Sequence, residues 1–376
     1  MHVLKFGGAC LSTTKDIQAI AQKIATRHKQ GEKLLVVVSA MGKSTDDLLR
    51  LSQQISSHPP LRELDMLLSA GERISMSLMS MALNQLNVPA ISFTGSQAGI
   101  LTKGHHNNAE IFDVRPVRVQ AALDENKVVV LAGFQGVDPH TKEVTTLGRG
   151  GSDVTAVAMA GHFKAKTCEI LKDVDGVYNL DPKLNSKATC FKSLSYQQLK
   201  TMCELGCKVL HPRAIALAQE LGVNLKIAAA HGENSKGTEV RADTQAKGFA
   251  LNVLSQVLKV ESDHPTKMSN WESYLSFKQI PIPRVLHKTE NTLYLTAHSE
   301  LISYVSQALN DWDACHLKTK IFEAISVTSL SAESDQSMHK KLDSSSKESF
   351  DYSGAQIPAK VFLVESSHSV IQSLNI

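Results

Sequence analysis

One segment near the start of the sequence combines residue types that could bind a phosphate group. Lys5-Phe6-Gly7-Gly8 places two glycines directly after a short apolar run, with a lysine two residues before them. Bare backbone N–H groups at a turn from a strand to a helix bind phosphate oxygens, and a nearby ammonium adds a charge contact. A tight turn beside a surface lysine is the alternative interpretation of this pair of glycines.

Two further segments have residues suited to a carboxylate and to a nucleotide. The run from Gly148 to Asp153 offers the Arg149 guanidinium for a carboxylate, small residues for close approach, and Ser152 or Asp153 as the N-cap of a helix. A flexible capped loop explains it equally. The turn 173–178, followed by Asp181-Pro182, could wrap a base and ribose, although Asp-x-Asp-Gly also occurs in ordinary turns.

Two familiar nucleotide-binding patterns fail on single positions. Met41-Gly42-Lys43-Ser44-Thr45 resembles the end of a phosphate-binding P-loop, but Val37 stands where that loop requires its first glycine. The run that begins at Gly148 fails the dinucleotide pattern because Asp153 occupies the place of the last glycine. We therefore exclude a P-loop nucleoside triphosphatase and a dinucleotide-binding fingerprint.

The elements that must position these residues alternate between strands and helices. Apolar runs over 3–6, 34–38, 89–93, 127–132 and 165–171 predict strands, and helical spacing predicts helices over 17–24, 65–85, 114–123 and 152–163. In the helix 65–85 we expect Leu67, Leu68, Ile74, Leu78 and Met79 to face inward. This order predicts a parallel-rich sheet with helices on both faces, whose ligands lie beyond the C-terminal strand ends.

Glycine is distributed unevenly between the two parts of the chain. Of the 21 glycines, 20 lie at or before Gly248, and the next is Gly354. After residue 249, alternating strand and helix patterns predict a β-α-β-β-α-β unit of the ferredoxin-like type, followed by a weaker echo of it. Seven serines between 331 and 349 predict a mobile loop inside that echo.

Composition excludes several classes of protein. The 376 residues include 40 Lys and Arg against 37 Asp and Glu, so no basic surface for nucleic acid is expected. No apolar run reaches the length of a membrane span, and the N-terminus lacks the features of a signal peptide. Six cysteines without a CxxC pair indicate buried thiols in a reducing compartment, and His105-His106 are expected to be solvated. We expect a cytoplasmic protein without a metal site built from its own side chains.

Taken together and in this order, the motifs resemble those of the aspartate kinases of the amino-acid kinase family. The stretches that carry the resemblance are Lys5 to Gly8, Val37 to Gly42, Gly71-Glu72-Arg73-Ile74-Ser75, Phe93 to Gly99, Ala132 to Gly136, Gly148 to Asp153, Asp173 to Tyr178 with Asp181-Pro182, and Lys208-Val209-Leu210-His211-Pro212. They cover about residues 1–240. Each motif alone is weak, whereas the ordered set is specific. The remainder resembles, more faintly, the ACT regulatory domains of the same family.

The resemblance implies an amino-acid kinase fold over residues 1–240, an ACT-like domain over 249–315 and a degenerate second ACT-like unit over 316–376. It implies transfer of the ATP γ-phosphoryl group to the β-carboxylate of L-aspartate, the first step toward lysine, threonine and methionine, with Mg²⁺ held mainly by phosphates. The partners implied are these two small molecules and further copies of the chain, as a homodimer or higher homo-oligomer through the ACT-like region. Neither nucleic acid nor membrane is expected as a partner.

The resemblance also implies a role for individual residues. Lys5, Asp153 and Lys208 would be catalytic. The residues implied to bind ATP are Lys5, Phe6, Gly7, Gly8, Lys172, Asp173, Tyr178, Asp181, Lys183, Lys208 and Val209. The residues implied to bind aspartate are Ser39, Thr45, Glu72, Arg149, Gly150, Gly151 and Ser152.

The sequence also departs from the family pattern. Ala9 and Cys10 stand where the family usually has Thr-Ser, so two hydroxyls near the phosphates are lost, and Lys172 replaces a threonine. The loop 261–267 lacks the glycine of the family's effector pockets. We therefore predict an ACT-like region that pairs subunits but binds lysine or threonine poorly.

Two alternatives remain open at this point. The chain could act on glutamate or a related carboxylate, although Gly71 to Ser75 argues against it. It could also be a catalytically weak paralogue that serves as an amino-acid sensor or a partner subunit, as Ala9 and Cys10 suggest.

Overall fold

The protein forms two compact units in a computed structural model. The structure describes residues 1–231, 237–262, 270–278, 280, 282–297, 299–312, 317–330, 336–352, 357–364 and 366–373. The first unit comprises Met1–Val177, Lys192–Tyr196 and Val209–Thr244. The second comprises Tyr178–Phe191, Gln197–Lys208 and Gln245–Ile376. Both units therefore contain discontinuous segments, and the expected boundaries at 240, 249 and 316 stay a prediction.

The strands are numbered in chain order over the described residues. They are β1 (His2–Phe6), β2 (Leu34–Val38), β3 (Ala90–Phe93), β4 (Ile100–Lys103), β5 (Glu110–Val114), β6 (Val128–Ala132), β7 (Gln135–Val137), β8 (Val144–Thr146), β9 (Cys168–Lys172), β10 (Ser193–Leu194), β11 (Leu225–Ala229), β12 (Thr238–Val240), β13 (Phe249–Glu261), β14 (Arg284–Lys288), β15 (Thr292–Thr296), β16 (Lys318–Ser329), β17 (Glu348–Asp351) and β18 (Ala359–Val364).

The helices follow the same numbering. They are α1 (Thr14–Lys29), α2 (Ser44–Ile55), α3 (Leu61–Leu68), α4 (Ala70–Gln85), α5 (Val117–Asp124), α6 (Gly151–His162), α7 (Tyr196–Glu204), α8 (Pro212–Glu220), α9 (Trp271–Phe277), α10 (Ser299–Asn310), α11 (Gln336–Ser345) and α12 (Ser367–Ser373). Within the described part of the chain, no helix combines the length and apolarity needed to cross a membrane.

The main sheet of the first unit has the order β10-β12-β11-β9-β1-β2-β6-β3 and is parallel except between β11 and β12. Helices α1 and α4 pack together in one layer, and α6 contacts β1 and β2. Successive side chains of a strand point to opposite faces, so Leu4 and Phe6 enter the core with α1 and α4 while Lys5 does not. The predicted parallel-rich α/β fold is confirmed.

Two predicted details of the first unit are wrong. The single helix expected over 65–85 is two helices, because the Ser69 carbonyl accepts a hydrogen bond from the Gln135 side chain (2.9 Å) at the junction between α3 and α4. Ile74, expected to face inward, is 54% exposed. The sequence patterns also missed a four-stranded sheet of order β5-β4-β7-β8, whose strands are only three to five residues long.

The second unit contains an antiparallel sheet of order β14-β15-β13-β16-β18-β17. The predicted β-α-β-β-α-β order is present from β13 to β16. Strand β16 pairs with both β13 and β18, so one continuous sheet joins the ACT-like region and its echo.

The mobile loop predicted over 331–349 is largely wrong. Residues 331–335 lie outside the described part, but 336–345 form α11 and 348–351 form β17. Met338 and Leu342, four residues apart, pack in one core cluster with Phe362. This apolar spacing outweighs the serine content.

Candidate active site

A cavity of about 580 Å³ in the first unit gathers most of the residues singled out by the sequence. All residues predicted to bind aspartate line it, as do Lys5, Gly8 and Asp153. They come from the end of β1, the segment after β2, the start of α4 and the start of α6. The C-terminal ends of parallel strands thus bring together segments that are far apart in the sequence.

Lys5 and Asp153 form a buried ion pair at this cavity. Lys5 Nζ lies 2.6 Å from Asp153 Oδ1, and both side chains are 6% exposed. Burial alone would raise the pKa of Asp153, but the positive charges of Lys5 and Lys172 outweigh it and hold that pKa below its usual range. The carboxylate therefore stays ionised and fixes the lysine ammonium at the cavity wall.

Glu72 is held by the segment that follows β2. A Cβ on Gly71 would lie 2.8 Å from the Ala40 Cβ, so glycine permits the close approach of α4 to this segment. The Ala40 N–H then donates to Glu72 Oε1 (3.0 Å), and Oε2 is buried without a hydrogen-bond partner in the described part of the chain. Burial raises the pKa of Glu72 to about 7. The buried Oε2 atom of Glu72 is thus a hydrogen-bond acceptor to which an ammonium group could donate.

The loop before α6 has a left-handed turn at its centre. Gly150 has φ +75° and is the N-cap, so the prediction of Ser152 or Asp153 as the cap is wrong. A Cβ on Gly150 would lie 2.3 Å from the Cβ of His211, so only glycine fits. Ser152 and Asp153 lie instead in the buried first turn of α6, and Arg149 is exposed at the cavity.

The glycine pair after β1 is only partly available to a phosphate. The Gly7 N–H donates to the Leu171 carbonyl (3.1 Å), and its predicted phosphate contact stays a prediction. A Cβ on Gly8 would lie 2.7 Å from the Ala40 carbonyl oxygen. Cys10 is buried, with Sγ directed at the Leu171 carbonyl (3.9 Å), and burial raises the pKa of its thiol to about 11. This cysteine is an inert part of the core.

The other residues predicted to bind ATP do not line this cavity. Phe6 is buried in the core with α1 and α4, which leaves only its backbone for a ligand. Lys172 ends β9, Asp173 follows it and is exposed, and Val209 is half-buried in the first unit.

The remaining ATP residues belong to the second unit. Tyr178 pairs with Cys190 in an isolated bridge, and Asp181 Oδ1 accepts the Lys183 N–H (2.8 Å). Asp181, Lys183 and Lys208 are exposed. Their roles toward a nucleotide stay a prediction.

Several residues that shape the cavity were missed by sequence reasoning. Asn107 and Asn108 line it, and the buried carboxylate of Asp65 binds His106, whose predicted solvation is wrong. Arg213 donates to Asn108. The available signal was Asp65 itself, a carboxylate that shares the buried face of α3 with Leu64 and Leu68.

Comparison with known proteins places the first part of the chain. The amino acid kinase family model matches residues 1–229. The aspartokinase of Mycobacterium tuberculosis is 48% identical over 231 residues, which are 61% of this chain and 55% of that protein. The Corynebacterium glutamicum aspartokinase is 47% identical over 261 residues, which are 69% and 62% of the two chains. The chain thus spans less than two thirds of the length of these curated relatives.

Solved structures extend the likeness to nearly the whole chain. An aspartate kinase from Synechocystis is 32% identical with a TM-score of 0.59, covering 99% of this chain and 68% of that one. Aspartokinase III of E. coli, in complex with aspartate and ADP, has a TM-score of 0.76 at 20% identity, covering 99% and 98%, and shows the shared fold. The resemblance inferred from the motifs is confirmed, and the chain belongs to the amino acid kinase family.

Proposed function

We propose that the protein is an aspartate kinase, which transfers the γ-phosphoryl group of ATP to the β-carboxylate of L-aspartate and forms 4-phospho-L-aspartate. The observation that carries this proposal is the single cavity lined by every residue predicted to bind aspartate together with the Lys5–Asp153 pair. Its place would be the first step of lysine, threonine and methionine biosynthesis. The aspartokinase relatives support the same substrate.

The cavity offers complementary groups for each end of aspartate. The Arg149 guanidinium would pair with the α-carboxylate, because it donates in a planar fork. The buried Oε2 of Glu72 would accept from the α-ammonium. Ser39 and Thr45 would add hydroxyl contacts, and the start of α6 at Gly150, Gly151 and Ser152 would allow close approach of the substrate. These contacts leave the β-carboxylate free to react.

The β-carboxylate needs no general base because it is already a nucleophile. Catalysis is then alignment of the two substrates and neutralisation of charge on the transferred phosphoryl group. Lys5 would supply that charge, and Asp153 would hold its ammonium in place at 2.6 Å. Gly8 would donate its N–H to the phosphates.

In the first unit, the nucleotide site would comprise Lys5, Phe6, Gly7, Gly8, Lys172, Asp173 and Val209, with ATP bound as its magnesium complex. The described residues contain no group of three or more His, Cys, Asp or Glu able to hold a metal. Asp153 is a carboxylate already paired with Lys5, which fits a cation coordinated chiefly by phosphates and waters. Mg²⁺ would there neutralise phosphate charge, while Asp153 orients Lys5 or a metal-bound water.

The setting of the enzyme belongs to the same proposal. Cys10 and Cys168 are buried thiols, which fits a reducing cytoplasm. We expect a homodimer or larger homo-oligomer formed through the ACT-like region. Light scattering on the purified chain measures this directly, and a monomer at micromolar concentration would refute it.

The test of the function is trapping of the acyl phosphate. The purified chain is incubated with Mg-ATP and either L-aspartate or L-glutamate, and hydroxylamine converts the product to a hydroxamate. We expect hydroxamate from aspartate and almost none from glutamate. Absence of product from aspartate would remove the proposal. Product from glutamate alone would favour the related kinase, and binding of aspartate without turnover would favour the sensor.

A further inference from the structure

One loop at the cavity has no role in the function proposed above. Residues 104–108 follow β4, and Asn107 and Asn108 line the same cavity as Glu72 and Arg149. Neither asparagine was expected to bind a substrate. The inference below assigns a role to Asn108 and rests on the proposed function.

The loop is anchored by the fully buried carboxylate of Asp65. Asp65 Oδ2 lies 2.6 Å from His106 Nδ1, and Oδ1 accepts from the Asn107 N–H (3.0 Å) and from the Thr146 hydroxyl. The side chain is 0% exposed. A buried carboxylate is tolerated only when its oxygens are bonded in this way. Asp65 thus connects α3 to the loop and to β8 by hydrogen bonds, and it fixes the backbone position of the residue before Asn108.

The side chain of Asn108 is oriented by Arg213. Arg213 Nη1 donates to Asn108 Oδ1 (2.8 Å), and Nη2 donates to the Leu147 carbonyl. Because a guanidinium has donors only, the amide oxygen must face Arg213 and the amide N–H₂ must face away from it. Arg213 therefore holds Asn108 beside the loop that carries Arg149, with two N–H donors directed away from the guanidinium.

We propose that Asn108 determines substrate specificity by donating a hydrogen bond from its amide N–H₂ to a carboxylate of the bound amino dicarboxylate. Lys5 is paired with Asp153, and Glu72 is an acceptor, so neither is a free donor for a carboxylate. Arg149 and Asn108 both line the cavity with side-chain N–H donors, in addition to the hydroxyls of Ser39 and Thr45. A neutral amide orients a carboxylate without cancelling its charge, so a carboxylate bound in this way stays nucleophilic. Asp65 and Arg213 are positioning residues that act through Asn108.

The direct test is Asn108→Asp. An aspartate side chain still accepts from Arg213, so the loop keeps its anchor, but it replaces the donors with acceptors and places a negative charge beside the substrate carboxylate. We expect the KM for aspartate to rise at least about tenfold, with kcat and the KM for ATP within about twofold. His105→Ala, an exposed position of the same loop outside the cavity lining, is the matched control and should leave all three constants unchanged.

The positioning role has a separate readout. Asp65→Asn should raise both the KM for aspartate and the rate of hydrogen exchange over residues 104–110, whereas Asn108→Asp should raise only the KM. An unchanged KM in Asn108→Asp overturns the inference, and faster exchange in Asp65→Asn without a change in KM overturns the positioning role.

Failure of the proposed function would be recognised separately. A wild-type chain that makes no aspartyl hydroxamate removes the function, while calorimetric titration with L-aspartate still tests the contact. Asn108→Asp must then weaken binding at least about tenfold relative to wild type. A wild-type chain that does not bind L-aspartate overturns both.

Discussion

At the scale of single residues, the proposed function assigns the buried pair of Lys5 and Asp153 to chemistry rather than to aspartate binding. Lys5 Nζ lies 2.6 Å from Asp153 Oδ1. The Lys5 side chain is on the face of β1 opposite to Leu4 and Phe6, which enter the core. An ammonium fixed in this way needs no reorganisation when charge develops on the phosphoryl group. Its contribution should therefore appear in turnover rather than in aspartate binding.

Replacing Lys5 by alanine tests that separation. We expect Lys5→Ala to lower kcat about a hundredfold or more while the KM for aspartate changes less than about threefold. The measurement is steady-state kinetics with the hydroxamate assay. Thermal unfolding checks that the variant stays folded although the buried Asp153 carboxylate has lost its partner. Lys33→Ala, at an exposed lysine, is the control. Equal losses in kcat and in aspartate affinity would contradict a role in the transition state.

Glu72 gives the site a dependence on pH. Burial raises its pKa to about 7, and only the ionised form offers the substrate ammonium a negative charge as well as an acceptor. The apparent KM for aspartate should therefore rise about tenfold from pH 8 to pH 6, and the pH profile of kcat/KM measures it. Glu72→Gln should have a high KM that is flat over this range. A wild-type KM independent of pH would refute the assignment.

The same shift has a consequence for stability. A carboxyl whose folded pKa lies above its unfolded value of about 4.5 binds more protons in the folded state. The unfolding free energy contributed by Glu72 therefore falls as pH rises from about 4.5 to 7. Glu72→Gln removes this slope, and urea unfolding at several pH values would detect the difference.

At the scale of elements, the start of α6 concentrates most of the aspartate site on one turn. Gly150 makes this turn with φ +75° against His211, and the first turn of α6 then buries Ser152 and Asp153. The loop Gly148 to Gly150 leaves Arg149 exposed at the cavity. The turn at Gly150 thus sets the positions of the Arg149 guanidinium and the Asp153 carboxylate.

Gly150→Ala should break this arrangement. The added methyl meets the strain of a left-handed conformation and a 2.3 Å contact with His211, so we expect a loss of about 2–4 kcal/mol of unfolding free energy and a raised KM for aspartate. Chemical denaturation provides the measurement. Gly222→Ala is the matched control, because Gly222 has φ +64° with nothing within 4 Å of the added Cβ. Equal losses in the two variants would show that His211 does not constrain the turn.

At the scale of the whole molecule, we predict that regulation is the property in which the chain departs most from its family. The second unit has the sheet of an ACT-like region, but loop 261–267 has no glycine, and residues 263–267 lie outside the described part. We predict weak or absent inhibition by lysine, threonine and methionine, because the family's effector loop uses a glycine. A titration of activity against each amino acid measures this, and strong inhibition below about 1 mM would refute it.

The sequence predicts the main sheet and the candidate site for different reasons. The strands β2 and β6 are apolar runs buried on both faces, so their pattern alone predicts a parallel sheet. The motifs named most residues of the cavity because their order resembles a family pattern, not because a single charge or glycine stood out. The strands β4, β7 and β8 are too short for such a pattern, and α11 was concealed by its serines.

The sequence by itself determined the family, the parallel sheet and the identity of most groups proposed to meet the substrate, because these depend on hydrophobic period and on ordered motifs. Only the tertiary structure decided that Gly7 donates its N–H within the sheet, that Cys10 belongs to the core, and that Asp65 holds the loop of Asn108. The physical reason is that hydrogen-bond partners distant in sequence are set by the packing of elements, which no local pattern records. Asp65 and Asn107 are 42 positions apart, and Asn108 and Arg213 are 105 apart.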